Sequence, residues 1–363
     1  GLYDPDRSQK ILEKGKEKEF TDFMTFWAEK YTTYKENKGE GLAILSESFS
    51  SPTMARLQKE FMKEYPNADW ATFDPVSDSN IFDGLKIATN EDVRPNYDYS
   101  KAKVILSIDS DFTQTESENI NANAGFASGR NLDDEHSEMN RLYMVESAFS
   151  STGASADHRL VLKQKEIYNF VLGLAKALNV QNLESINVAL PAQCQAWLGP
   201  LVDDLQKNQG QSLVVAGRRM PKEVHALICG INEVLKNNGS TILYTNLTDV
   251  SVSNISDLQV LTEKMRAGSV STLVVLGGDP VYNAPADMKF VSALKKVETV
   301  IHNSLYVDST GKQAQWHIPA SHYLEHWSDA RSSDGTASVV QPLIAPLFDG
   351  KSNIEILKFL SLI

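Results

Sequence analysis

Two carboxylates follow the clearest apolar run in the first half of the chain. Residues 103–108 (KVILSI) predict a strand, and Asp109, Ser110 and Asp111 come directly after it. Two acids at a strand end can bind a hydroxylated ligand or a divalent cation. The alternative interpretation is a solvated turn in which an aspartate caps the next helix.

A second group of residues that could do chemistry lies at positions 141–160 (RLYMVESAFSSTGASADHRL). The segment predicts a strand and then a polar loop, where small residues such as Thr152 and Gly153 let the backbone lie close to another group. Asp157 and His158 could form a proton relay, although adjacent loop residues point in different directions. Because ligands of open α/β sheets sit beyond the carboxyl ends of strands, this loop is a candidate ligand site. A packed interdomain turn is the alternative.

The turn Gly277-Gly278-Asp279-Pro280 follows another predicted strand, TLVVL at residues 272–276. Its backbone N–H groups could cradle a phosphate. The segment is not G-x-G-x-x-G, however, and no P-loop Lys-Ser/Thr follows it. A strand-to-helix turn that uses Gly and Pro for its geometry is therefore the alternative interpretation.

His322, Glu325 and His326 match the H-x-x-E-H pattern of inverted zinc peptidases. On a helix the two histidines would share one face, with the glutamate beside them. A proline shortly before the motif and a Trp-Ser-Asp after it predict a loop instead, so we expect no metal site here. A hydrolase that uses this stretch, or the Asp-His pair described above, is the third functional hypothesis.

Composition limits the class of protein. The 363 residues are 42% hydrophobic and 23% charged, which fits about two soluble domains. The net charge of -12 argues against nucleic acid or an anionic membrane as the main partner, and no apolar run is long enough to span a bilayer. The chain begins at Gly1 rather than Met, so the lack of a signal peptide does not settle the compartment.

The only two cysteines, Cys194 and Cys229, lie far apart among apolar neighbours. We expect both to be buried, inert thiols. Since no C-x-x-C exists, neither an iron–sulfur cluster nor a cysteine-rich zinc site is expected within this chain.

Strand and helix patterns alternate along most of the chain. This alternation predicts an α/β fold made of two successive Rossmann-like units with mostly parallel sheets. The expected domains are a helical segment at residues 1–39, a first α/β domain at 40–237 and a second, dinucleotide-binding-like domain at 238–363. The Asn-Asn-Gly at residues 237–239 marks the boundary because it ends a helix.

Several segments together resemble the molybdopterin oxidoreductases, the dimethyl-sulfoxide-reductase superfamily. They are GLAILSESFSSP, KVILSIDSDF, RLYMVESAFSSTGASADHRL, SLVVAGRRMPKEVHALICGINEVL, LVVLGGDPVYNAPAD and HIPASHYLEHWSDARSSDGTASVVQPLIAP. The most specific pieces are GGDP-x-Y-x-x-P and P-A-x-x-x-L-E-x-W, which in the family belong to the domain that holds one pterin guanine dinucleotide. RLYMVES…STGASADHRL and the Tyr3-Asp4-Pro5 opening more closely resemble the molybdopterin-like half of the iron–sulfur subunit of alternative complex III, a respiratory quinol:electron-acceptor oxidoreductase.

The chain departs from the superfamily's pattern at its metal-binding positions. The cluster motif Cys-x-x-Cys-x-x-x-Cys is missing, and no cysteine lies between Asp69 and Asp92, where the resemblance would place a metal ligand. Ser77 or Ser79 could in principle ligate molybdenum. The resembled branch is thought not to carry the pterin, so the resemblance implies an inherited fold without catalytic residues, metal or cofactor. Iron–sulfur clusters would belong to a C-terminal half that is missing here.

The main hypothesis is thus a non-catalytic scaffold and docking domain of a respiratory complex. Its partners would be the iron–sulfur half of the same subunit and other subunits of a membrane-bound complex at the periplasmic face, with no nucleic acid and no membrane span. The alternative is a fragment of a true oxidoreductase that binds molybdenum bis-pterin guanine dinucleotide. The candidate residues of a vestigial, collapsed cleft are Asp109, Ser110, Asp111, Thr152, Gly153, Asp157, His158, Gly277, Gly278, Asp279 and Pro280, with Phe112, Arg159, Tyr282 and His302 expected to fill it.

Overall fold

A computed structural model describes residues 1–132, 138–248 and 250–361 of the chain. The strands are β1 Ile11–Glu13, β2 Lys16–Lys18, β3 Leu42–Ser46, β4 Asp69–Thr72, β5 Val93–Tyr97, β6 Val104–Ile108, β7 Arg141–Glu146, β8 His158–Val161, β9 Ser212–Ala216, β10 Ile242–Asn246, β11 Thr272–Leu276, β12 Thr299–Ser304, β13 Trp316–Pro319, β14 Ser328–Arg331 and β15 Ala337–Val340. The α-helices are α1 Phe20–Glu36, α2 Pro52–Glu64, α3 Ser79–Thr89, α4 Asn119–Ser128, α5 Ser151–Ala154, α6 Gln164–Ala177, α7 Ala192–Lys207, α8 Lys222–Val234, α9 Ile255–Ala267, α10 Pro280–Asn283, α11 Phe290–Leu294 and α12 Asn353–Leu360. Short 3₁₀ helices lie at Tyr99–Lys101, Ala286–Met288 and Gly311–Gln313.

The chain forms two compact units that are not successive. Unit 1 comprises Gly1–Ser77 and Thr248–Ile363, and unit 2 is the inserted segment Asp78–Leu247. This grouping differs from the predicted domains at residues 40–237 and 238–363, because β3 pairs in parallel with β11 along its full length. Residues 249, 362 and 363 of the second predicted domain lie outside the described residues.

Unit 1 contains a sheet in the order β2-β1-β13-β12-β11-β3-β4. The five strands from β13 to β4 run parallel, and β1 and β2 add an antiparallel edge. One apolar cluster on this sheet includes Phe23, Trp27 and Trp316, and another includes Leu258 and Phe290. The prediction of mostly parallel α/β sheets is confirmed.

The sequence predicts a helical segment at residues 1–39, but only part of this segment is helical. β1 and β2 form a hairpin before α1 begins at Phe20. Its turn residues Lys14 and Gly15 both have positive φ, 50° and 77°. Such values suit the tight two-residue turns that connect twisted antiparallel strands.

Unit 2 contains a parallel sheet in the order β8-β7-β6-β9 and a separate antiparallel pair of β5 with β10. The segment predicted as a polar loop after β7 instead forms the short helix α5 and the strand β8. β10 was expected to open a second α/β half, but Ile242 pairs with Tyr97. An alternating polar and apolar pattern predicts a strand but does not identify its partner.

Each parallel sheet has a topological switch point. In unit 1 the switch point lies between β3 and β11, because the chain proceeds outwards from β3 to β4 on one side and from β11 to β13 on the other. In unit 2 it lies between β6 and β9, because β7 and β8 are on one side of β6 and β9 is on the other. Crevices beyond the carboxyl ends of such strand pairs are the usual ligand sites of open α/β sheets. The loops after β3, β11, β6 and β9 therefore define the candidate sites.

Candidate functional site

Glu47 lies on the two-glycine turn at the switch point of unit 1. Ser46 and Leu276 are register partners, so Glu47 and Gly277 are the first residues beyond the paired strands. A Cβ on Gly277 would be only 2.3 Å from Glu47 Oε2, and one on Gly278 would be 3.4 Å from Glu47 Cγ, so the carboxylate lies directly against the turn. The loss of hydration next to surrounding protein atoms is the larger cause that raises the pKa of Glu47, and the nearby Asp74 carboxylate adds to it. The Gly278 N–H opposes that shift.

A second carboxylate lies at the N-terminus of α2, the helix that follows β3. The Thr53 N–H donates to Asp329 Oδ1 at 3.2 Å, and Thr53 Oγ1 donates to Asp329 Oδ2 at 2.5 Å. The Ser51 hydroxyl also donates to Asp329. Burial alone would raise the pKa of Asp329, but the bonds from Ser51 and Thr53 outweigh it and lower the pKa. Asp329 thus occupies the end of α2 where the helix dipole favours an anion.

Asp279 and Pro280 fix the chain after the two-glycine turn. Asp279 Oδ1 accepts from the Thr310 N–H at 2.9 Å and from Thr310 Oγ1 at 2.6 Å, and Oδ2 accepts from the Ser309 N–H at 3.1 Å. Pro280 begins α10, and His302 Nε2 donates to the Gly278 carbonyl at 3.0 Å. These contacts match the interpretation of the segment as a strand-to-helix turn with defined geometry.

Asp109 is the counterpart of Glu47 at the switch point of unit 2. It is 5% exposed, has a positive φ of 47°, and pairs with Arg219 Nη2 at 3.0 Å through Oδ2. A Cβ on Gly217, the first residue after β9, would lie 2.1 Å from the Asp109 carbonyl oxygen. Ser110 is also buried, and its carbonyl accepts from Ser107 Oγ at 2.7 Å. The turn is therefore packed rather than solvated.

The loops after β6 and β7 are tied to each other by hydrogen bonds. Asp111 Oδ1 accepts from the Thr152 N–H at 2.9 Å and from Thr152 Oγ1 at 2.8 Å. Gly153 lies so close to Glu146 that an added Cβ would be 2.0 Å from Oε1. Glu146 is 1% exposed and forms an ion pair with Arg159. The structure thus brings Asp111, Thr152 and Gly153 together.

Asp157 and His158 are directed to different partners. The Asp157 carboxylate accepts from the Leu142 N–H at 2.8 Å and from Arg130 Nη2 at 2.5 Å. The His158 imidazole stacks on Tyr143 with ring centroids 4.6 Å apart. A proton relay between the two residues is therefore not formed, because consecutive residues of an extended segment project to opposite sides.

Glu325 of the H-x-x-E-H motif lies in a turn and holds the N-terminal segment. It forms a buried ion pair with Arg7 and accepts from the backbone N–H groups of His322 and Leu347. His326 Nδ1 lies 2.9 Å from Ser321 Oγ. Across the described ranges, no group of three or more His, Cys, Asp or Glu side chains could hold a metal ion.

Most of the remaining candidate residues lie in the protein interior, and Tyr282 lies at the surface. Phe112 stacks on Tyr99 at 4.5 Å within the core of unit 2, and Tyr282 is 82% exposed, so neither fills a cleft as predicted. Both cysteines are buried, and burial raises the pKa of each thiol, as expected for inert thiols. Ser77 and Ser79 both have interaction partners.

Three important carboxylate or guanidinium groups were missed by the sequence reasoning. The signal for two of them was present, since Glu47 directly follows one predicted strand and Arg219 closely follows another. Nothing in the sequence places Asp329 at the end of α2, because the two are 276 residues apart. Of the eleven predicted cleft residues, seven belong to unit 2 and four to unit 1.

Comparison with known proteins defines the class of this chain. The family model of the molybdopterin oxidoreductases matches residues 27–362, and the chain belongs to this family. No curated protein matches its sequence. No helix within the described residues has the length and apolar character needed to cross a membrane.

Two solved structures share the fold. Acetylene hydratase from Pelobacter acetylenicus is similar with a TM-score of 0.74 and 11% identity, over 99% of this chain and 62% of that one. A chain of the formyltransferase/hydrolase complex from Methylorubrum extorquens, in complex with methylofuran, is similar with a TM-score of 0.61 and 12% identity, over 97% of each chain. This chain therefore spans less than two thirds of the hydratase, and at these identities the similarity concerns the fold alone.

The family's pterin dinucleotide carries a pyrophosphate, which would need N–H donors at a switch point. In unit 1 the Glu47 carboxylate already lies against the two-glycine turn, and the N-terminus of α2 already donates to Asp329. In unit 2 the corresponding turn carries the buried Asp109 and the partly buried Asp111. Two anions repel each other at short range, so the residues at these turns do not fit the cofactor.

Proposed function

We propose that this chain is a non-catalytic, molybdopterin-oxidoreductase-like domain that serves as a scaffold and docking module in a respiratory iron–sulfur subunit of the alternative complex III type. The observation that carries the non-catalytic assignment is the pair Glu47 and Asp329: Glu47 lies against the two-glycine turn and Asp329 accepts the Thr53 N–H, at the two places where a phosphate would bind. A fold that no longer binds a cofactor can still serve as a docking surface for neighbouring subunits.

The docking role follows from the sequence resemblance of residues 141–160 to that branch. We propose that its partners are an iron–sulfur polypeptide and other subunits of a membrane-bound complex, at the periplasmic face. The similarity over 97% of a chain from a multi-subunit assembly supports a subunit role for a fold of this size. It also favours a second candidate, a non-catalytic subunit of a complex of the formyltransferase/hydrolase type.

Cofactor content tests the non-catalytic assignment. The chain would be purified from a host that makes the molybdenum cofactor, with molybdenum measured by elemental analysis and pterin by fluorescence after oxidation. An active family enzyme made in the same host is the positive control. We expect neither molybdenum nor pterin in this chain, because carboxylates occupy the phosphate positions; near-stoichiometric molybdenum would support the alternative of a true oxidoreductase fragment.

Purification of the tagged chain from its native cells tests the docking role. We expect it to sediment with membranes and to elute with a polypeptide that contains iron–sulfur clusters, visible by iron analysis and by electron paramagnetic resonance. Recovery in a soluble assembly with formyl-transfer activity would support the second candidate instead. Recovery as a monomer would contradict both.

A further inference from the structure

A pocket of about 610 Å³ lies in unit 1, and none of the residues that line it belongs to the strand-end turns described above. Its wall includes the turn between β1 and β2, the segment before β12, the 3₁₀ helix Gly311–Gln313 and the start of β13. This volume falls within the range of small-molecule sites, roughly 300–1,000 Å³. Leu12, Val300 and Val307 give part of the wall an apolar character.

The charge of the pocket is opposite to that of the chain. Lys14, Lys295 and Lys312 line it, together with a single carboxylate, Glu298. Glu298 pairs with Lys30 at 2.9 Å and so neutralises a lysine that is not part of the wall. In the part of the chain that the structure describes, none of the three lining lysines forms an ion pair. Three unpaired positive charges in a protein of net charge -12 create a local field that attracts anions.

A buried imidazole supplies a second, independent observation. His317 lines the pocket, is 1% exposed, and has its Nε2 2.8 Å from Ser8 Oγ. Its Nδ1 is buried without a hydrogen-bond partner. That atom faces Gly311, also in the wall, where an added Cβ would lie 3.2 Å from His317 Nδ1 and 3.3 Å from His302 Nδ1. A buried polar atom without a partner is costly, so a bound group that reaches this atom would stabilise the site.

The protonation state of His317 agrees with a donor role. Burial and the neighbouring His302 lower the pKa of His317 to about 3, so the ring is neutral at physiological pH. A neutral imidazole carries one N–H. In the tautomer in which Ser8 donates to Nε2, that N–H is on Nδ1, the atom that lacks a partner.

We propose that this pocket binds a small phosphate-bearing molecule. Lysine ammonium groups bind phosphate as point charges, and three of them around one pocket favour a multivalent oxyanion over a single carboxylate. The apolar part of the wall contacts the uncharged portion of the ligand. The site is separate from the proposed scaffold function and does not depend on it.

Titration calorimetry at low ionic strength tests the proposal with pyrophosphate, ADP and adenosine as probes. We expect pyrophosphate and ADP to bind and adenosine to bind far more weakly, since it lacks phosphate. The double variant Lys295→Gln/Lys312→Gln should weaken ADP binding by about tenfold or more, because it removes two of the three charges. Both lysines are exposed, so the variant should fold normally.

The matched control is Lys63→Gln/Lys207→Gln, which removes two exposed lysines outside the pocket and produces the same net charge. It should bind ADP as the unaltered chain does. Glu47→Gln should also leave ADP affinity unchanged, which distinguishes this pocket from the strand-end turn. Absence of ADP binding, or equal weakening in both lysine variants, would overturn the proposal.

Discussion

Arg7 and Glu325 form the ion pair with the least exposed side chains among the described residues, 1% and 0% exposed. The carboxylate also accepts backbone N–H groups from His322 and Leu347, so its oxygens are fully used. A buried carboxylate that loses its cation retains the cost of its lost hydration. The residue that made the motif resemble a peptidase is therefore an anchor for the N-terminal segment.

We expect Arg7→Met to lower the free energy of unfolding by about 3–5 kcal/mol, because it leaves Glu325 buried without a counter-charge. Urea unfolding at pH 7 measures the change. Lys10→Met is the control, since the Lys10–Asp349 pair is exposed at both ends, 51% and 59%, and should contribute little. Equal effects of the two substitutions would contradict the role assigned to Arg7.

The Arg7–Glu325 ion pair also predicts how the stability of the protein depends on pH in acid. Burial alone would raise the pKa of Glu325, but Arg7 and the two backbone N–H groups lower it from 4.5 to about 2. A lowered carboxyl pKa contributes stability above its ordinary value and loses it as the pH falls towards the folded value. The unaltered chain should therefore lose stability between pH 4.5 and about 2, and Arg7→Met should show a weaker dependence in this window.

The role of a residue could be predicted from the sequence where that role depends on residues close to it along the chain. The geometric interpretation of Gly277 to Pro280 and the burial of Cys194 and Cys229 belong to this group. The positions of Asp329 and Arg7 do not, because their partners are hundreds of residues away. A pattern of residue types contains no information about such contacts until the fold is known.

At the scale of elements, α3 and α8 pack unusually close through Gly84. A Cβ at this position would lie 2.4 Å from the His225 Cβ and 2.5 Å from the Lys222 carbonyl oxygen. Glycine inside a helix costs about 1 kcal/mol relative to alanine, so a packing reason for its presence is expected. Burial in this contact also lowers the pKa of His225 to about 4.

We expect Gly84→Ala to destabilise the protein by about 1–3 kcal/mol, since the added methyl group must push two helices apart. Gly199→Ala is the control, because Gly199 lies inside α7 and an added Cβ there would meet nothing within 4 Å. Thermal unfolding of both variants measures the difference. A loss of stability at Gly199 as large as that at Gly84 would refute the close-packing explanation.

Most elements could be predicted from the sequence because they have a strong apolar period. The strand β11, for example, has the predicted bounds, 272–276. The strand β8 was missed because only four residues form it, and its burial pattern has a single buried residue, Leu160. Pairing was the weaker part of the prediction, as the antiparallel partnership of β5 and β10 demonstrates.

At the scale of the whole molecule, unit 2 is a continuous segment with its own apolar clusters and its own parallel sheet. Residues 78–247 expressed alone should therefore be soluble and unfold cooperatively by circular dichroism. The matched fragment, residues 40–237, separates β3 from β11 and β5 from β10. We expect it to aggregate or to unfold without a cooperative transition, and the opposite ranking would argue against the division into these units.

The discontinuous layout of unit 1 also has a consequence during synthesis. β4 ends at Thr72, and β11, the strand that must pair with β3, begins only at Thr272. At about 5–20 residues per second, the ribosome needs roughly 10–40 s to bridge that interval. Throughout this delay β3 can pair only with β4 and its other edge stays open, while unit 2 can already fold. We therefore expect the first 77 residues of the nascent chain to need shielding by molecular chaperones until β11 has been synthesised.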